Sequence, residues 1–185
     1  MRQFLAVDLS DELRAGLGSL QKRLQAEARG WRWVRPEKIH LTLRFLGEVP
    51  AERDAGCREA WRSVAAHASP FSFRLQGIGS FPARGGPRVL WVGVREQGSA
   101  GRLAHLAAAF EGAARDVGFD HDNRPFRPHL TLARAERSGR ATLPESQEYR
   151  SSTALDVDHT TLFRSELLPG GARYSVLESF ALGAS

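Results

Sequence analysis

One nine-residue pattern occurs twice in this sequence, and it constrains the fold more than any other feature. The pattern is Arg-Pro, three variable residues and His-Leu-Thr-Leu, at residues 35–43 and again at 124–132. Each position of the second copy lies 89 residues after its counterpart, close to half of the 185-residue chain. Self-similarity at a fixed offset indicates related structural units. We therefore predict two pseudo-symmetric lobes, each with a helix before its motif.

The distribution of apolar residues predicts an α+β fold, because the elements do not follow a regular βαβ alternation. Predicted helices cover 10–29, 51–68 and 103–117. Predicted strands lie at 3–8, 31–34, 39–46, 71–75, 89–94, around 129, at 155–164 and at 174–182. Glycine and proline predict a loop over 77–86, and the polar stretch 138–152 is predicted to be a loop or a lid. The expected architecture is two pseudo-symmetric lobes with mostly antiparallel strands.

The length of the chain favours one domain. A chain of 185 residues with 42% hydrophobic content can bury one sizeable core, so we expect residues 1–185 to form a single domain. The longest apolar runs fall far short of the roughly 20 residues that cross a bilayer, and the first residues lack a signal-peptide pattern. The single cysteine, Cys57, cannot form an internal disulfide. These features predict a soluble, cytoplasmic protein without a membrane partner.

The tetrapeptide His-Leu-Thr-Leu has the residue types of a β-strand. Side chains on a strand alternate between its two faces, so His40 and Thr42 should share one face while the leucines enter a core. The same alternation applies to His129 and Thr131 in the second copy. If a pseudo-twofold axis brings the two polar faces together, the result is a cleft with two imidazoles and two hydroxyls.

Such a cleft suits an anionic phosphodiester. The ordinary pKa of an imidazole is about 6.5, so one copy can be neutral and the other protonated near neutral pH. One histidine can then take a proton from water while the other supplies a proton to a leaving alkoxide. Thr42 and Thr131 can donate hydrogen bonds to the non-bridging oxygens. We interpret His40 and His129 as a catalytic acid/base pair and the two threonines as substrate-binding residues.

Two further features of the sequence concern phosphate and metal. Each motif supplies one strong metal ligand and has no Asp or Glu companion at that spacing, so we do not expect a metal. Arg127 lies two residues before His129 and is a candidate phosphate ligand, although Pro128 can redirect the chain and leave a solvated arginine. All but two of the 26 Lys and Arg residues are arginine, which fits a phosphate-bearing partner and fits Arg-biased codon usage equally well.

The remaining residues with chemical potential are interpreted as structural. Phe45 can serve as a stacking platform for a base, but burial in the core is the preferred interpretation. The same interpretation applies to Trp31, Trp33 and Trp91. Four histidines outside the repeat are interpreted as structural or surface residues: His67, His105, His121 and His159.

The quoted residues resemble the 2H phosphoesterases, whose defining feature is a pair of His-x-Thr/Ser-x motifs in one chain. The resemblance is closer still to the bacterial and archaeal RNA 2′,3′-cyclic phosphodiesterases, historically called 2′-5′ RNA ligases. It covers nearly the whole chain and shows no departure at the four motif positions. The segments that carry it are 4–8, 33–36, 40–47, 87–91, 124–134 and 162–174.

This resemblance implies a direction of proton transfer that the spacing does not supply. It makes His40 the general acid and His129 the general base. The implied reaction is in-line attack of water on a 2′,3′-cyclic phosphate at an RNA end, with the 3′-oxygen leaving and a 2′-phosphate remaining. It implies no metal or nucleotide cofactor. The implied fold is two lobes of antiparallel sheet, with helices outside, that flank a central catalytic groove.

Two alternatives stay open at this point. The same acid and base serve the reverse direction, so a 2′-5′ RNA ligase fits the motifs, as does a phosphodiesterase for another cyclic phosphate or for 2′-5′ oligonucleotides. A non-enzymatic RNA-binding module accounts for the arginine content but does not need two proton-transfer residues. We expect RNA with a cyclic phosphate end as the partner and a monomeric protein, although the sequence does not determine the oligomeric state.

Overall fold

Nine β-strands and three α-helices form the regular structure of the computed structural model, which describes residues 1–82, 86–98, 100–136, 141–169 and 171–183. In chain order they are β1 (Arg2–Val7), α1 (Asp11–Glu27), β2 (Trp31–Trp33), β3 (Leu41–Glu48), α2 (Ala51–Ala66), β4 (Phe71–Phe81), β5 (Val89–Gln97), α3 (Arg102–Asp116), β6 (His129–Ala135), β7 (Arg150–Val157), β8 (His159–Leu168) and β9 (Gly171–Ala181). A short 3-10 turn, Pro36–Lys38, precedes the first motif. None of the helices in these described ranges is long and apolar enough to cross a bilayer.

The strands form one antiparallel sheet in which the two motif strands are neighbours at the centre. The strand order is β7-β4-β5-β6-β3-β1-β8-β9, with β2 paired to β6. One half contains β1-α1-β3 and the other contains β5-α3-β6, so a helix precedes the motif strand in each half. A single residue pair, Leu41 with Leu130, joins β3 to β6. The predicted α+β class and the two pseudo-symmetric antiparallel lobes are confirmed. The two lobes are the halves of one continuous sheet.

The three helices pack against one face of this sheet. The buried residues of α1 recur mainly at helical spacing and include Leu13, Leu17, Leu20 and Leu24. They share one apolar core with the leucines of both motifs. Ser10 caps the helix by accepting a 3.3 Å hydrogen bond from the Leu13 backbone N–H. The apolar side of each motif strand is therefore buried, and its polar side faces away from this core.

The predicted loop over 77–86 is wrong for residues 77–81, because β4 continues to Phe81. Gly79 makes room for a side chain of the neighbouring strand instead of ending its own strand. A Cβ atom at Gly79 would overlap the indole of Trp91 on β5. Residues 83–85 of the predicted loop lie outside the described chain.

The predicted strand over 155–164 is two strands. β7 ends at Val157 and β8 begins at His159, with Asp158 as the one residue between them. β7 pairs with β4 in one half of the sheet, whereas β8 pairs with β1 in the other half. The chain therefore passes between the halves at Asp158. Residues that favour β-strands continue on both sides of this position, with Val157 before it and Thr160 and Thr161 after it, which is why the sequence shows no break.

The predicted loop or lid at 138–152 divides into three parts. Residues 138–140 lie outside the described chain, and Arg150 begins β7. The part between them is held to the body of the protein: the Thr142 N–H donates to the Arg29 carbonyl at 3.0 Å, and the Ile78 N–H donates to the Gln147 carbonyl at 2.8 Å. None of the described residues 141–152 lines the cavity beside the motifs. This part of the segment does not cover that cavity.

Candidate active site

The leucine pair that joins β3 to β6 sets the register of the two motifs. Because the strands are antiparallel, His40 faces Thr131 across the seam and Thr42 faces His129. Both leucines are fully buried in the core, and strand alternation places the four polar residues on the opposite face. The structure therefore brings the four predicted motif residues together as a crossed square. Each histidine is opposite the threonine of the other motif.

The dimensions of this square follow from the geometry of antiparallel strands. Directly opposite residues in such a pair have Cβ atoms about 5 Å apart, and diagonal neighbours are about 7–8 Å apart. The two histidines occupy one diagonal of the square. A separation of that order leaves room for one phosphate group between the two imidazoles.

The two imidazoles are oriented by equivalent backbone hydrogen bonds. Nδ1 of His40 lies 2.9 Å from the Lys38 carbonyl oxygen, and Nδ1 of His129 lies 2.7 Å from the Arg127 carbonyl oxygen. A carbonyl oxygen can only accept, so each Nδ1 carries the hydrogen and donates it. Nε2 is then the nitrogen that is free to exchange a proton with a ligand. Both side chains are fixed in the same tautomer, although they belong to different lobes.

Aromatic side chains enclose His40. Its ring centroid lies 4.6 Å from that of Phe4 and 5.3 Å from that of Tyr174, which meets it edge-on, while Phe163 is 6.1 Å away. This burial lowers the pKa of His40 to about 4, and the Lys38 carbonyl and the charge of Asp8 oppose the shift only in part. His40 is therefore neutral at pH 7 when no anion is bound.

His129 lies in a similar but more open environment. Phe81 meets its ring edge-on at 5.0 Å, and the Trp91 ring is 6.4 Å away. Burial is again the main cause that lowers the pKa of His129 below its ordinary value. A neutral imidazole with a free Nε2 is the form that a general base requires.

A cavity of about 560 Å³ opens beside the square and extends to α3. Its lining includes four of the residues predicted from the sequence, namely Thr42, Arg127, His129 and Thr131. His40 is not among the lining residues, and its ring packs in one cluster with Phe4 and Tyr174, whose rings also contact each other at 5.1 Å. The remaining wall is mainly apolar, with arginine side chains at the rim.

Two of these rim arginines lie near the histidines. Arg127 is exposed and lines the cavity, so its side chain is placed as predicted, and its backbone carbonyl orients His129 as well. Arg134 is exposed too, and its positive charge lowers the pKa of both His40 and His129. Arg134 therefore lies near both imidazoles, where its charge could balance that of a bound phosphate.

The family model for LigT-like phosphoesterases matches residues 7–91 and 93–174, which contain both motifs and nearly the whole sheet. This chain belongs to the LigT-like phosphoesterase family. The Archaeoglobus fulgidus protein named RNA 2′,3′-cyclic phosphodiesterase is 36% identical over 182 residues, 97% of this chain and 99% of the relative. A Thermus thermophilus protein of solved structure superposes with a TM-score of 0.86 at 34% identity, and all of both chains is covered. E. coli LigT in complex with 3′-AMP gives a TM-score of 0.78 at 31% identity, with 98% and 97% coverage.

The interpretation of Phe45 as a core residue is wrong for this LigT-like phosphoesterase. In the β1–β3 pairing Ala6 is opposite Thr42 and Leu5 is opposite Arg44, so Leu43 is an extra residue that forms a β-bulge. The bulge reverses the alternation that follows it. Phe45 therefore lines the cavity with half of its side chain exposed, and Arg44 points toward the helices.

The same bulge occurs in the second copy, and it explains why Arg134 was not predicted. In the β5–β6 pairing Trp91 is opposite Thr131 and Leu90 is opposite Ala133, so Leu132 is the extra residue. Leu132 lies 89 residues after Leu43, as His129 lies after His40. The repeat itself could have pointed to Arg134. Comparing the two copies for two residues beyond each tetrapeptide pairs Arg134 with Phe45.

The other sequence interpretations fare differently in the structure. Trp31 is buried, but Trp33 and Trp91 are only partly buried, and Trp91 lies beside His129 instead of in the core. The four histidines outside the repeat are exposed, as predicted: His67, His105, His121 and His159. In the described ranges no three His, Cys, Asp or Glu side chains are grouped as a metal would require.

Proposed function

We propose that residues 1–185 act as one catalytic domain that hydrolyses RNA 2′,3′-cyclic phosphate ends to 2′-phosphates. The observation that carries this proposal is the crossed square, in which two imidazoles with the same tautomer face two hydroxyls across one seam. The name of the A. fulgidus relative and the 3′-AMP complex of E. coli LigT support an RNA end as the substrate. A monomer suffices, because one chain supplies both motifs.

In the proposed mechanism His129 is the general base and His40 the general acid, as the family resemblance implies. Nε2 of His129 takes a proton from water, and the water oxygen attacks phosphorus in line with the bond to the 3′-oxygen. That bond breaks, and Nε2 of His40 donates a proton to the departing 3′-oxygen. The phosphate stays on the 2′-oxygen. The Thr42 and Thr131 hydroxyls donate to the non-bridging oxygens, whose charge Arg127 and Arg134 help to balance.

The lowered pKa of His40 supports its role as an acid once substrate has bound. An acid with a low pKa gives up its proton readily, but it must first be protonated. The phosphodiester anion supplies the charge that favours the protonated form. Proton uptake by His40 is therefore coupled to substrate binding.

The direct test is the reaction of an RNA oligonucleotide that ends in a 2′,3′-cyclic phosphate, in the presence of EDTA. We expect conversion to a 2′-phosphate at a rate that the chelator does not change, because every proposed step uses side chains of the chain itself. Mobility and phosphatase sensitivity of the product distinguish a 2′-phosphate from a 3′-phosphate. Addition of an RNA with a 5′-hydroxyl end tests ligation in the same tube. A 3′-phosphate product, or activity that EDTA abolishes, would refute the proposed mechanism.

The pH dependence of the reaction is expected to differ between kcat/KM and kcat. In the free enzyme the base is active above its pKa and the acid below its pKa, and both values lie below about 6.5. The bell for kcat/KM should therefore be centred on the acid side of neutrality, with limbs that belong to the pair of histidines. Bound phosphodiester raises the pKa of His40, so the falling limb of kcat should lie at higher pH. Stopped-flow profiles across the acid and neutral range measure both limbs, and a flat profile with chemistry rate-limiting would contradict paired histidine catalysis.

A further inference from the structure

Arg32 and Arg134 form a pair of cations on the face of the sheet that carries the motif histidines. They are directly opposite each other in the β2–β6 pairing, so their side chains lie on the same face. Both residues are exposed. Arg134 lines the cavity, and Arg32 lies one strand beyond it, outside the lining. β2 therefore adds a second cation next to the one that the cavity already contains.

Neither of these two cations is neutralised by a side-chain carboxylate. All 21 Asp and Glu residues lie in the described ranges, and none of them forms a salt bridge with Arg32 or Arg134. This includes Glu136, which follows the end of β6 two residues after Arg134. Both guanidinium groups are therefore available to an anion from solution.

Two like charges directly opposite each other on neighbouring strands destabilise a sheet. The chain has a second cross-strand arginine pair, Arg74 on β4 and Arg95 on β5, where Arg74 donates to two carbonyl oxygens of β7. No such acceptor is bonded to Arg32 or Arg134 within the described chain. An anion bound beside this pair would remove the repulsion between its members.

Arg32 lies on the same side of the seam as His40. β5 occupies one edge of β6, whereas β2 and β3 both pair with the other edge. Along β6, three residues separate Thr131, which is opposite His40, from Arg134, which is opposite Arg32. That is about 10 Å of strand, shortened by the bulge at Leu132. Since an arginine side chain extends several ångströms from its Cα atom, the Arg32 guanidinium can reach a group one nucleotide away from the reacting phosphate.

We propose that Arg32 binds the phosphodiester that joins the terminal nucleotide to the preceding one, an inference that rests on the proposed function. In-line attack requires the entering water and the departing 3′-oxygen to lie on opposite sides of phosphorus. Water is activated by His129, so the ribose lies on the side of His40. The 5′-oxygen of that ribose carries the next phosphate of the RNA, on the side of the seam where Arg32 lies. Arg32 therefore distinguishes an RNA end from a cyclic mononucleotide, which lacks this phosphate.

The experiment uses three substrates with the same reacting end. One is adenosine 2′,3′-cyclic phosphate, and the second is the ApA dinucleotide with a 2′,3′-cyclic phosphate end. The third is the same dinucleotide with a neutral methylphosphonate in place of the phosphodiester linkage. The second and third differ by one charge, so their comparison isolates the phosphate that Arg32 is proposed to bind.

The variants are Arg32→Gln, Arg32→Lys and, as a control, Arg23→Gln, which removes an exposed arginine from α1 on the helix side of the sheet. Arg32→Gln is expected to lower kcat/KM on the phosphodiester dinucleotide by about 5- to 30-fold, mainly through KM. On the other two substrates its effect should be no larger than that of Arg23→Gln. Arg32→Lys keeps the charge and should retain part of the preference for the phosphodiester. The slope of log kcat/KM against log salt concentration should become shallower by about 0.7 in Arg32→Gln, the value for one contact to a single strand.

Equal losses on the phosphodiester and methylphosphonate dinucleotides for Arg32→Gln would overturn the proposal, as would no loss on either. If wild type hydrolyses none of the three substrates, the proposed function fails. Calorimetric binding of ApA 2′-phosphate, with each of the two linkages, then decides the inference separately. Weaker binding of the phosphodiester form by Arg32→Gln, without a matching loss for the methylphosphonate form, supports the phosphate site. Equal changes for the two forms, or no change, refute it.

Discussion

Replacing either motif histidine with alanine is expected to lower kcat on a cyclic phosphate RNA end by about a hundred- to ten-thousand-fold. His40→Ala removes the proton for the departing 3′-oxygen, and His129→Ala removes the acceptor for the proton of water. Neither role can pass to the neighbouring threonine, because a hydroxyl does not titrate near neutral pH. Single-turnover hydrolysis measures the loss directly, without a contribution from product release.

The matched control for these variants is His105→Ala. Nδ1 of His105 lies 2.9 Å from the Gly101 carbonyl oxygen, the same kind of backbone hydrogen bond that orients the motif histidines, but its side chain is exposed on α3, outside the cavity. We expect its kcat to equal that of wild type. If the His40→Ala/His129→Ala double variant is folded and as functional as wild type, the RNA-binding module is the better interpretation. Circular dichroism of each variant separates lost chemistry from lost fold.

Replacing Glu111 with alanine is expected to destabilise the protein by about 2–4 kcal/mol. The bulge at Leu43 turns Arg44 toward α3, where its side chain is only 10% exposed and forms a 2.6 Å salt bridge with Glu111. Loss of the carboxylate leaves a guanidinium that is largely buried without its nearest counter-ion. Its remaining partners are the carbonyls of Phe45 and Asp120 and, at 4.0 Å, the Asp122 carboxylate, which already pairs with Arg124. Urea unfolding measures the change in the free energy of unfolding.

A salt bridge of the same chain on the surface serves as the control. Glu59 pairs with Arg62 one helical turn away, and both side chains are more than half exposed. Glu59→Ala is expected to cost much less, because water and salt screen exposed charges and Arg62 keeps its second partner, Glu178. Equal losses in the two variants would mean that Arg44 is solvated in solution. A double variant, Arg44→Met with Glu111→Leu, should recover part of the stability that Glu111→Ala loses.

The polar and apolar faces of the motif strands could be predicted from the sequence because strand alternation is a local property. His40 and Thr42 are two residues apart, and the leucines beside them are buried as the alternation requires. The bulges at Leu43 and Leu132 could not be predicted in this way. A bulge is defined by the partner strand, and nothing in the tetrapeptide marks the extra residue. Phe45 was predicted to be a core residue because the extra residue at Leu43 was not anticipated, and this residue moves Phe45 to the opposite face of the strand.

The environment of His40 could not be predicted from local sequence patterns either. Its aromatic neighbours come from three strands, with Phe4 on β1, Phe163 on β8 and Tyr174 on β9. They are adjacent only because β8 crosses to this half of the sheet after Asp158. The repeat in the sequence singled out two of the six histidines. It did not indicate that one of them would be buried deeply enough to lower its pKa to about 4.

The crossed register at the Leu41–Leu130 seam makes the groove an interface between two parts of one chain. Each histidine has its own lobe's carbonyl behind it and the other lobe's threonine opposite it. Each His–Thr pair therefore consists of one residue from each lobe, and neither pair exists within a single lobe. The chemistry depends on the relative placement of the two lobes, and a disturbance that slides β3 against β6 by one residue would separate both His–Thr pairs at once.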